Sequence, residues 1–388
     1  MGKKTDWSKI LLRVVSYILV AVVTCVSTMY FMLQETGGKL MTLQYLINNC
    51  FIGEVDQVAL EDGAADGMVN ALPDRWSYYI PSSQMQANIE HMENAYIGIG
   101  ITIVSREDGQ GMDIVKVDPN GGAREAGILP GDVLWAAEGQ LITEIGVDAT
   151  SVLIRGEEGT QVNVTVLRDG KELDFVVTRK QMYVAVATGE LLEDNIGYII
   201  IANFNERCAQ ETIDQIESLV SQGATSLIFD VRFNPGGYKD ELVKLLDYLL
   251  PEGDLFRSQL YTGEETVDTS DAKCLEMPMA VLINGDSYSA AEFFAAALSE
   301  YGWAVTVGEP TVGKGYFQST FDLGDGSAVA LSIGRYFTPN GRCLEEEGGL
   351  TPDVTAEVEL EVAAKIYSGL LAPMEDPQVL SAIEALKK

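Results

Sequence analysis

The sequence predicts an α/β protein in which a strand-rich block precedes a domain of alternating strands and helices. From residue 196 onward, short apolar runs typical of strands alternate with amphipathic runs typical of helices. This alternation favours a parallel sheet covered by helices. Between residues 96 and 180, short alternating stretches are separated by turns, and Asp169-Gly170 is typical of a tight hairpin. The chain is therefore expected to hold at least two domains of different architecture.

Composition and charge limit the possible functions. The 388 residues are 47% hydrophobic, which is enough for two or three cored domains. The formal net charge is −32, so the surface repels nucleic acid, and no nucleic-acid partner is expected. The five cysteines lack metal-site spacing and His91 is the single histidine. No metal site is therefore expected, and disulfides cannot be assigned.

Residues 14–33 form an uncharged, mostly apolar run that follows a basic flank. A helix of this length spans about 30 Å, the thickness of a bilayer core. Because basic flanks stay in the cytoplasm, we expect a cytoplasmic tail at 1–13 and a single-pass signal anchor at 14–33. The rest of the chain would then lie on the extracytoplasmic side of the cell membrane. A cleaved signal peptide is the alternative, but it needs a shorter apolar core and a small-residue cleavage site.

The segment 34–94 is predicted to be helical. Apolar residues with helix-like spacing are interrupted by glycine and proline up to Pro81. The following stretch, QMQANIEHMEN, is typical of a polar helix or linker, so His91 is expected to be exposed. In this segment and in the C-terminal helical segment, 361–388, the sequence alone shows only amphipathic faces.

Strands and helices alternate in the domain that begins at residue 196. The predicted strands are IGYIIIANF, SLIFDVRF, PMAVLING and WAVTVG, and the predicted helices are AQETIDQIESLVSQG, KDELVKLLDYLL and SAAEFFAAALSEYG. Gly223 ends the first of these helices, and EDPQVLSAIEALKK is a closing helix.

Ser289 lies between a strand-like run and an Ala-rich helical run. Ser289 and Glu292 form the S-x-x-E pattern of a helix capping box. When this segment is considered by itself, that structural role is favoured over a catalytic one. A serine at a helix N-terminus also lies beside unpaired backbone N–H groups, so Ser289 is a candidate nucleophile. The N–H of Ala290 would then hold the oxyanion. Such a serine needs a base, and His91 is distant in sequence.

Lys314 has two functional interpretations besides that of an ordinary surface lysine. Gly308–Lys314 fits the start of a phosphate-binding loop, but Gly315 stands where a Mg²⁺-binding hydroxyl is needed, and a strand-like run follows. The second interpretation is a general base, because burial among apolar neighbours lowers the pKa of an amine. The expected neighbours are Val312, Tyr316 and Phe317. A Ser–Lys dyad needs no histidine.

The sequence Asn234-Pro235-Gly236-Gly237 follows a strand-like run and is typical of a tight turn. Glycines in such a turn also let backbone N–H groups approach a ligand closely. We therefore expect Gly236 and Gly237 to provide a second oxyanion donor beside Ala290.

Together these three segments resemble the carboxyl-terminal processing proteases, also called tail-specific proteases. That family is marked by an NPGG turn, a small-residue turn around the nucleophile, and GKG with a glutamine four residues after the lysine. The matching residues here are Asn234–Gly237, Ser289–Glu292, Gly313–Gly315 and Gln318. Lys314 lies 25 positions after Ser289, the family's spacing, and DRWSYYI, RYFTPNGR and GGLTPDV are also similar.

The resemblance implies a crotonase/ClpP-like mixed α/β protease core that works as a serine endopeptidase without a cofactor. Ser289 would attack the peptide carbonyl, and Lys314 would be the general base. Gln318 would hold the lysine amine in place. The backbone of Ala290, Gly236 and Gly237 would form the oxyanion hole.

Two residues depart from the family pattern around the nucleophile. Tyr288 replaces a small residue, and Ala291 replaces a serine. Tyr288 would narrow the site, which concerns substrate preference rather than activity.

The family also carries a PDZ domain, and residues 95–182 resemble one. Gly98-Ile99-Gly100-Ile101 matches its carboxylate-binding loop. The N–H groups of such a loop receive a chain-terminal carboxylate while the peptide adds as a strand. The resemblance therefore implies protein or peptide substrates with free C-terminal tails. It also implies a homodimer, formed by the N-terminal and C-terminal helical segments.

The predicted protein is thus a membrane-anchored, exported endopeptidase with an inserted PDZ domain. Its predicted order is a tail at 1–13, an anchor at 14–33, a helical segment at 34–94, the PDZ domain at 95–182, the protease core at 183–360 and a helical segment at 361–388. The alternative is a catalytically silent PDZ scaffold, and the intact Ser289, Lys314 and Gln318 argue against it.

Overall fold

The computed structural model describes residues 7–36, 38–106 and 109–387; within its first helix, side chains are described for residues 14–28. The chain divides into two compact units, Met1–Ala71 and Leu72–Lys388. The larger unit contains both the strand-rich block and the α/β domain that the sequence predicts.

The described residues of the N-terminal unit form the helices α1 (Trp7–Thr36), α2 (Gly38–Cys50) and α3 (Gln57–Asn70). Asp56 caps α3 by accepting a hydrogen bond from the Ala59 N–H at 3.1 Å. Among the residues that the structure describes, no helix has the length and apolarity that a membrane crossing requires. The anchor predicted at 14–33 extends beyond the described side chains of α1, and it stays a prediction.

Two short elements open the larger unit: β1 (Tyr78–Ile80) and α4 (Ser82–Met92). The expectation of a helical segment up to Pro81 is wrong here, because β1 is a strand that pairs with residues 328–330 far along the chain. The polar helix expected next is confirmed as α4, and His91 in its last turn is exposed.

The strand-rich block is a small, separately cored domain. Its elements are β2 (Ala95–Gly98), β3 (Ile101–Ser105), β4 (Met112–Val117), α5 (Gly122–Ala126), β5 (Val133–Ala137), β6 (Gln140–Leu141), α6 (Ile142–Ile154), β7 (Gln161–Arg168), β8 (Lys171–Thr178) and β9 (Lys180–Tyr183). The sheet order is β3-β4-β5-β7-β8, with β6 beside β5, and β2 pairs with β9 separately. Asp169 and Gly170 both have positive φ, as the predicted tight hairpin requires.

The α/β domain that follows is built on a six-stranded sheet. Its first elements are β10 (Ala187–Leu192), β11 (Ile196–Ile201), α7 (Cys208–Ser221), β12 (Ser226–Asp230), α8 (Lys239–Leu249), β13 (Gly253–Leu260) and β14 (Glu265–Ser270). Its later elements are β15 (Met279–Ile283), α9 (Ala290–Glu300), β16 (Ala304–Gly308), β17 (Tyr316–Asp322), β18 (Ala328–Phe337), α10 (Leu344–Glu347), β19 (Val354–Thr355), α11 (Leu360–Tyr367) and α12 (Pro377–Leu386). The main sheet has the order β10-β11-β12-β15-β16-β19 and is parallel except for β10. The predicted parallel pairing is therefore confirmed.

Helices cover both faces of this sheet. Alternate side chains of each strand point to opposite faces: Phe229 packs in a core with α7, α8 and α9, whereas Ile228 packs in a second core with Val379 and Ile383 of α12. A second sheet, β1-β18-β13-β14 with β17 on β18, was not expected from the sequence.

Candidate active site

The candidate site lies where three parallel strands of the main sheet end. The segments after β12, β15 and β16 carry the NPGG turn, the serine and the lysine, and the carboxyl ends of parallel strands meet at one edge of a sheet. A cleft of roughly 1030 Å³ opens there. Among the residues that line it are Gly236, Gly237, Ser289, Ala290, Lys314 and Gln318. All the site residues predicted in the protease core are therefore brought together.

Ser289 immediately precedes α9 and has an unusual backbone. Its φ of 60° and ψ of −122° lie outside the regions favoured by residues with a side chain. Such strain costs about 1–3 kcal/mol and is concentrated at functional sites. The Ser289 N–H donates to Glu292 Oε2 at 2.9 Å. The carboxylate of the predicted capping box thus holds the nucleophile turn in its strained form.

Lys314 is the basic group of the cleft. Burial lowers the pKa of its amine to about 8, although Asp74, Glu292 and Glu345 oppose the shift. Its Nζ lies 4.9 Å from the centre of the Trp76 ring. Within the described part of the chain, this amine makes no ion pair. About one amine in ten is therefore unprotonated at pH 7 and able to accept a proton, far more than for an ordinary lysine.

The apolar cover of Lys314 includes a residue that the sequence did not indicate. Tyr316 was expected to contribute to it, but its side chain is 36% exposed. The aromatic neighbour is Trp76, which belongs to DRWSYYI and precedes the PDZ-like block. Periodicity gives no signal for this contact, and the sequence offered only the family likeness of that segment.

Glu292 connects the serine turn to the lysine loop. Its Oε2 accepts hydrogen bonds from the N–H groups of Ser289 and Lys314, both at 2.9 Å. Its Oε1 accepts from the Gly313 N–H at 2.6 Å and from the Thr311 hydroxyl. The side chain is fully buried, and burial raises its pKa against the effect of these hydrogen bonds. One carboxylate therefore fixes both halves of the candidate dyad.

Two backbone N–H groups are available to an oxyanion. The N–H of Gly236 is occupied, because it donates to Asn234 Oδ1 at 2.8 Å. The N–H groups of Gly237 and Ala290 donate to no acceptor among the described residues. Gly237 is held by its neighbours, since the Phe204 N–H donates to the Gly236 carbonyl at 2.7 Å and the Tyr238 N–H donates to the Phe204 carbonyl at 2.8 Å. Of the two predicted glycines, Gly237 therefore has the N–H available for an oxyanion.

Replacing Gly236 by alanine is expected to lower kcat by about 10²–10³-fold, the loss typical of a damaged oxyanion hole. A Cβ there would lie 2.7 Å from Ser289 Cβ, and Gly236 has a φ of 88°. The turn must then move away from the nucleophile. Steady-state kinetics on a peptide substrate would measure the loss.

Gly324→Ala is the matched control for this change. Gly324 has a similar φ of 89°, but a Cβ there meets nothing within 4 Å. Equal kcat losses in the two variants would contradict a specific role for the turn.

Gln318 lies on β17 and lines the cleft, but its amide nitrogen donates hydrogen bonds to residues other than Lys314. Its Nε2 donates to Ser332 Oγ at 2.9 Å and to the Tyr316 carbonyl at 3.3 Å. The expectation that Gln318 holds the lysine amine stays a prediction. The Tyr336 hydroxyl donates to the Lys314 carbonyl, so the backbone of the lysine is held as well.

A buried charge cluster supports the strand that leads into the NPGG turn. The Arg232 guanidinium bonds Asp230 through Nε at 2.9 Å and pairs with Asp376 at 2.8 Å. Its Nη1 also donates to Gln378 Oε1 at 2.7 Å, and Tyr198 donates to Asp230 at 2.6 Å. The sequence reasoning missed this cluster, whose only local signal is a charged pair at the end of an apolar strand.

The predicted carboxylate-binding loop lies between β2 and β3. Gly100 has a φ of 79°, which favours glycine. The N–H groups of Ile99 and Gly100 donate to no backbone acceptor in the described residues, while their carbonyls accept from Ala123 and Asp118. The loop therefore has unpaired donors where a terminal carboxylate is expected.

The nucleotide-binding alternative for Lys314 is not supported by the fold. The residues after Lys314 form the strand β17, so no helix N-terminus faces this glycine-rich loop. The loop's N–H groups at 313 and 314 are occupied by Glu292.

Two family models match the chain. Residues 195–356 match peptidase family S41, and residues 97–178 match the PDZ domain. The matched ranges coincide with the α/β domain and the strand-rich block.

Curated relatives extend this likeness over most of the chain. The carboxy-terminal processing protease CtpA of Bacillus subtilis (strain 168) is 32% identical over 80% of this chain and 67% of its own length. A probable CtpA-like serine protease of Staphylococcus aureus (strain COL) is 28% identical over 90% of this chain and 73% of its own. The solved structure of a photosystem II D1 C-terminal processing protease is 26% identical, covers 82% of this chain and 86% of its own, and has a TM-score of 0.47. The matches to the S41 and PDZ family models, together with the similarity to the Bacillus protease, show that this chain belongs to peptidase family S41, among the carboxy-terminal processing serine proteases.

Proposed function

We propose that this peptidase cleaves peptide bonds with a Ser289–Lys314 dyad. The observation that carries the proposal is the lysine amine with a pKa of about 8 in the cleft that also holds the strained serine. Lys314 takes the proton of the Ser289 hydroxyl as Oγ bonds to the substrate carbonyl carbon. The resulting oxyanion accepts hydrogen bonds from the N–H groups of Gly237 and Ala290.

The later proton transfers of the reaction also pass through the Lys314 amine. The Lys314 ammonium donates its proton to the leaving amine as the peptide C–N bond breaks, which leaves an acyl ester on Ser289. Water then attacks the ester carbonyl and gives a proton to Lys314. As the acyl C–Oγ bond breaks, Lys314 returns this proton to Ser289 Oγ, and the second product leaves as a carboxylic acid. Gln318 is proposed to orient the amine during these transfers.

Cleavage is expected to depend on pH through Lys314. The base acts only when unprotonated, so kcat/KM should fall about tenfold per pH unit below 8 and level off above it. Lys314→Met, which keeps the length without the amine, should lower kcat by about 10²–10⁴-fold. Initial rates of cleavage of an unfolded protein by the full chain, measured from pH 6 to 10, give both results.

His91→Ala is the decisive companion variant, because His91 also lines the cleft. A Ser–Lys enzyme keeps its activity and its pH profile in this variant. Loss of cleavage in His91→Ala, with cleavage surviving in Lys314→Met, would overturn the proposed dyad in favour of a histidine base.

The PDZ domain is proposed to select substrate tails and to gate the site. Arg207 supports a gating role, because its Nη2 donates to the carbonyls of Asn94 and Val184, both at 2.9 Å. Asn94 directly precedes β2, the first strand of the strand-rich block, and Val184 directly follows β9, its last strand. Arg207 follows Phe204, whose backbone bonds the NPGG turn. Movement of the PDZ domain would therefore be transmitted to the oxyanion donors.

The N-terminal unit is proposed to anchor the protease to the cell membrane and to support self-association, with the catalytic part on the extracytoplasmic side. The apolar run at 14–33 and the exposed leucines 40, 43 and 46 of α2 motivate the proposal. We expect the full chain to sediment with membranes and to need detergent for release. Release by high salt alone would contradict an anchor, and a monomer at all concentrations in detergent would contradict self-association.

A further inference from the structure

We infer that Trp76 is a positioning residue for catalysis. Its indole ring covers the Lys314 amine, excludes water from that amine and connects the amine to the turn that carries Ser289. The inference rests on the proposed role of Lys314 as the base. It concerns a residue that lies outside the α/β domain in sequence, on the segment before the PDZ domain.

The loop that carries Trp76 is fixed by its own hydrogen bonds. Asp74 accepts from the Trp76 N–H at 3.0 Å and from the Ser77 hydroxyl at 2.6 Å. Ser77 Oγ in turn accepts from the Ser332 N–H at 3.0 Å. Because Ser332 also receives the Gln318 amide, the loop is attached to the strands that follow the lysine.

The ring is also tied directly to the lysine loop. Its Nε1–H donates to Glu345 Oε2 at 3.1 Å, and the same oxygen accepts from the Gly315 N–H at 3.1 Å. One carboxylate oxygen therefore holds both the indole and the residue after Lys314. A shift of the ring relative to the backbone of Gly315 weakens one of these bonds.

The third contact joins the ring to the nucleophile turn. Trp76 stacks on Tyr288 with the ring centres 6.0 Å apart and an interplanar angle of 25°. Tyr288 directly precedes Ser289, so the indole bridges the turn of the nucleophile and the amine of the base. The departure of Tyr288 from the family pattern thus gives Trp76 a stacking partner.

Two effects of the ring on the amine oppose each other. An aromatic face attracts an ammonium ion, whereas exclusion of water favours the neutral amine. The charged groups around Lys314 are Asp74 and Glu345, which flank the indole, and Glu292 on α9; Arg75 lies 4.3 Å from the ring centre. Burial outweighs the carboxylates at this amine. Removing the ring should therefore make the amine harder to deprotonate.

The direct test is the titration of Lys314 by competitive acetylation of lysine amines in the full chain, read by mass spectrometry. Ser289→Ala is the background, so that the reading does not depend on cleavage. Trp76→Ala is expected to raise the Lys314 midpoint by about one pH unit, since water then reaches the amine. Trp76→Phe, which keeps an aromatic cover, should leave the midpoint close to that of the parent.

With Ser289 restored, the same variants are compared in cleavage. Trp76→Ala should lose about tenfold in kcat/KM at pH 7, as one pH unit of midpoint requires. It should recover at pH values above the new midpoint, and Trp76→Phe should restore the original profile. A fall by the same factor at every pH, or an unmoved midpoint in the acetylation reading, would overturn the inference.

Controls separate this test from loss of folding and from failure of the dyad. Trp303→Ala removes a partly buried tryptophan whose indole donates to the Leu275 carbonyl at 3.2 Å, and it should lower stability without moving the Lys314 midpoint. If thermal unfolding shows that Trp76→Ala does not fold, Trp76→Gln brings a polar side chain to the same place with the same expected shift. Full cleavage by Lys314→Met would refute the dyad, while the acetylation reading would still decide the role of Trp76.

Discussion

Replacing Ser289 by alanine is expected to abolish peptide cleavage, a loss of about 10⁶-fold in kcat. In the proposed mechanism, the oxygen of this hydroxyl forms the bond to the substrate carbonyl carbon. Alanine removes the hydroxyl that accepts from the Glu292 N–H in the capping box but keeps the Ser289 N–H bond to the Glu292 carboxylate, so the turn should keep its form. Mass spectrometry of an unfolded protein substrate after incubation with the full chain measures the loss.

The same variant separates a protease from a silent scaffold. Binding of a peptide with a free C-terminal carboxylate to the PDZ domain should be unchanged, and amidation of that peptide should weaken it. Ser299→Ala is the control, because Ser299 lies on the same helix and its hydroxyl bonds Asp353 at 3.2 Å instead of facing the cleft. Cleavage that survives in Ser289→Ala would exclude Ser289 as the nucleophile.

Replacing Glu292 by glutamine is expected to lower the free energy of unfolding by about 3 kcal/mol and kcat by at least about 10²-fold. The carboxylate accepts hydrogen bonds from the N–H groups of Ser289, Gly313 and Lys314 and from the Thr311 hydroxyl. A glutamine NH₂ group would face donors and leave buried groups unpaired, at about 1–3 kcal/mol each. Loss of position at a dyad by about 1 Å costs about 10²-fold in rate.

Urea unfolding and steady-state kinetics measure the two parts of this expectation. Glu361→Gln is the control, since Glu361 makes an exposed pair with Lys365, and such pairs contribute little to stability. A folded Glu292→Gln variant with parental kcat would show that the carboxylate is needed for stability alone.

Much of the fold could be predicted because its signals are local. The strands at 196–201, 226–230 and 279–283 are continuous apolar runs, and the helices between them have one apolar face. The second sheet lacked such signals. Its strand at 78–80 has three residues and is formed by pairing with β18 far along the chain, so no local pattern distinguishes it from the end of a helical segment.

The candidate site divides in the same way. Ser289 and Lys314 could be proposed because each lies in a recognisable motif and their spacing matches a family. The cover of the Lys314 amine by Trp76 could not be predicted, because the indole is held by Glu345, which lies 269 positions later in the chain.

The pairing of Arg232 with Asp376 and Gln378 has a consequence for the timing of activity during synthesis. Arg232 and Gln378 are 146 positions apart, and a chain leaves the ribosome from its N-terminus at about 5–20 residues per second. The serine, the lysine and the NPGG turn all emerge before the groups that secure the strand beneath that turn. A growing chain therefore carries the parts of a peptidase before it has the clamp that aligns them. Until α12 has been made, Arg232 lacks Asp376 and Gln378 as partners and keeps only its contacts with Asp230.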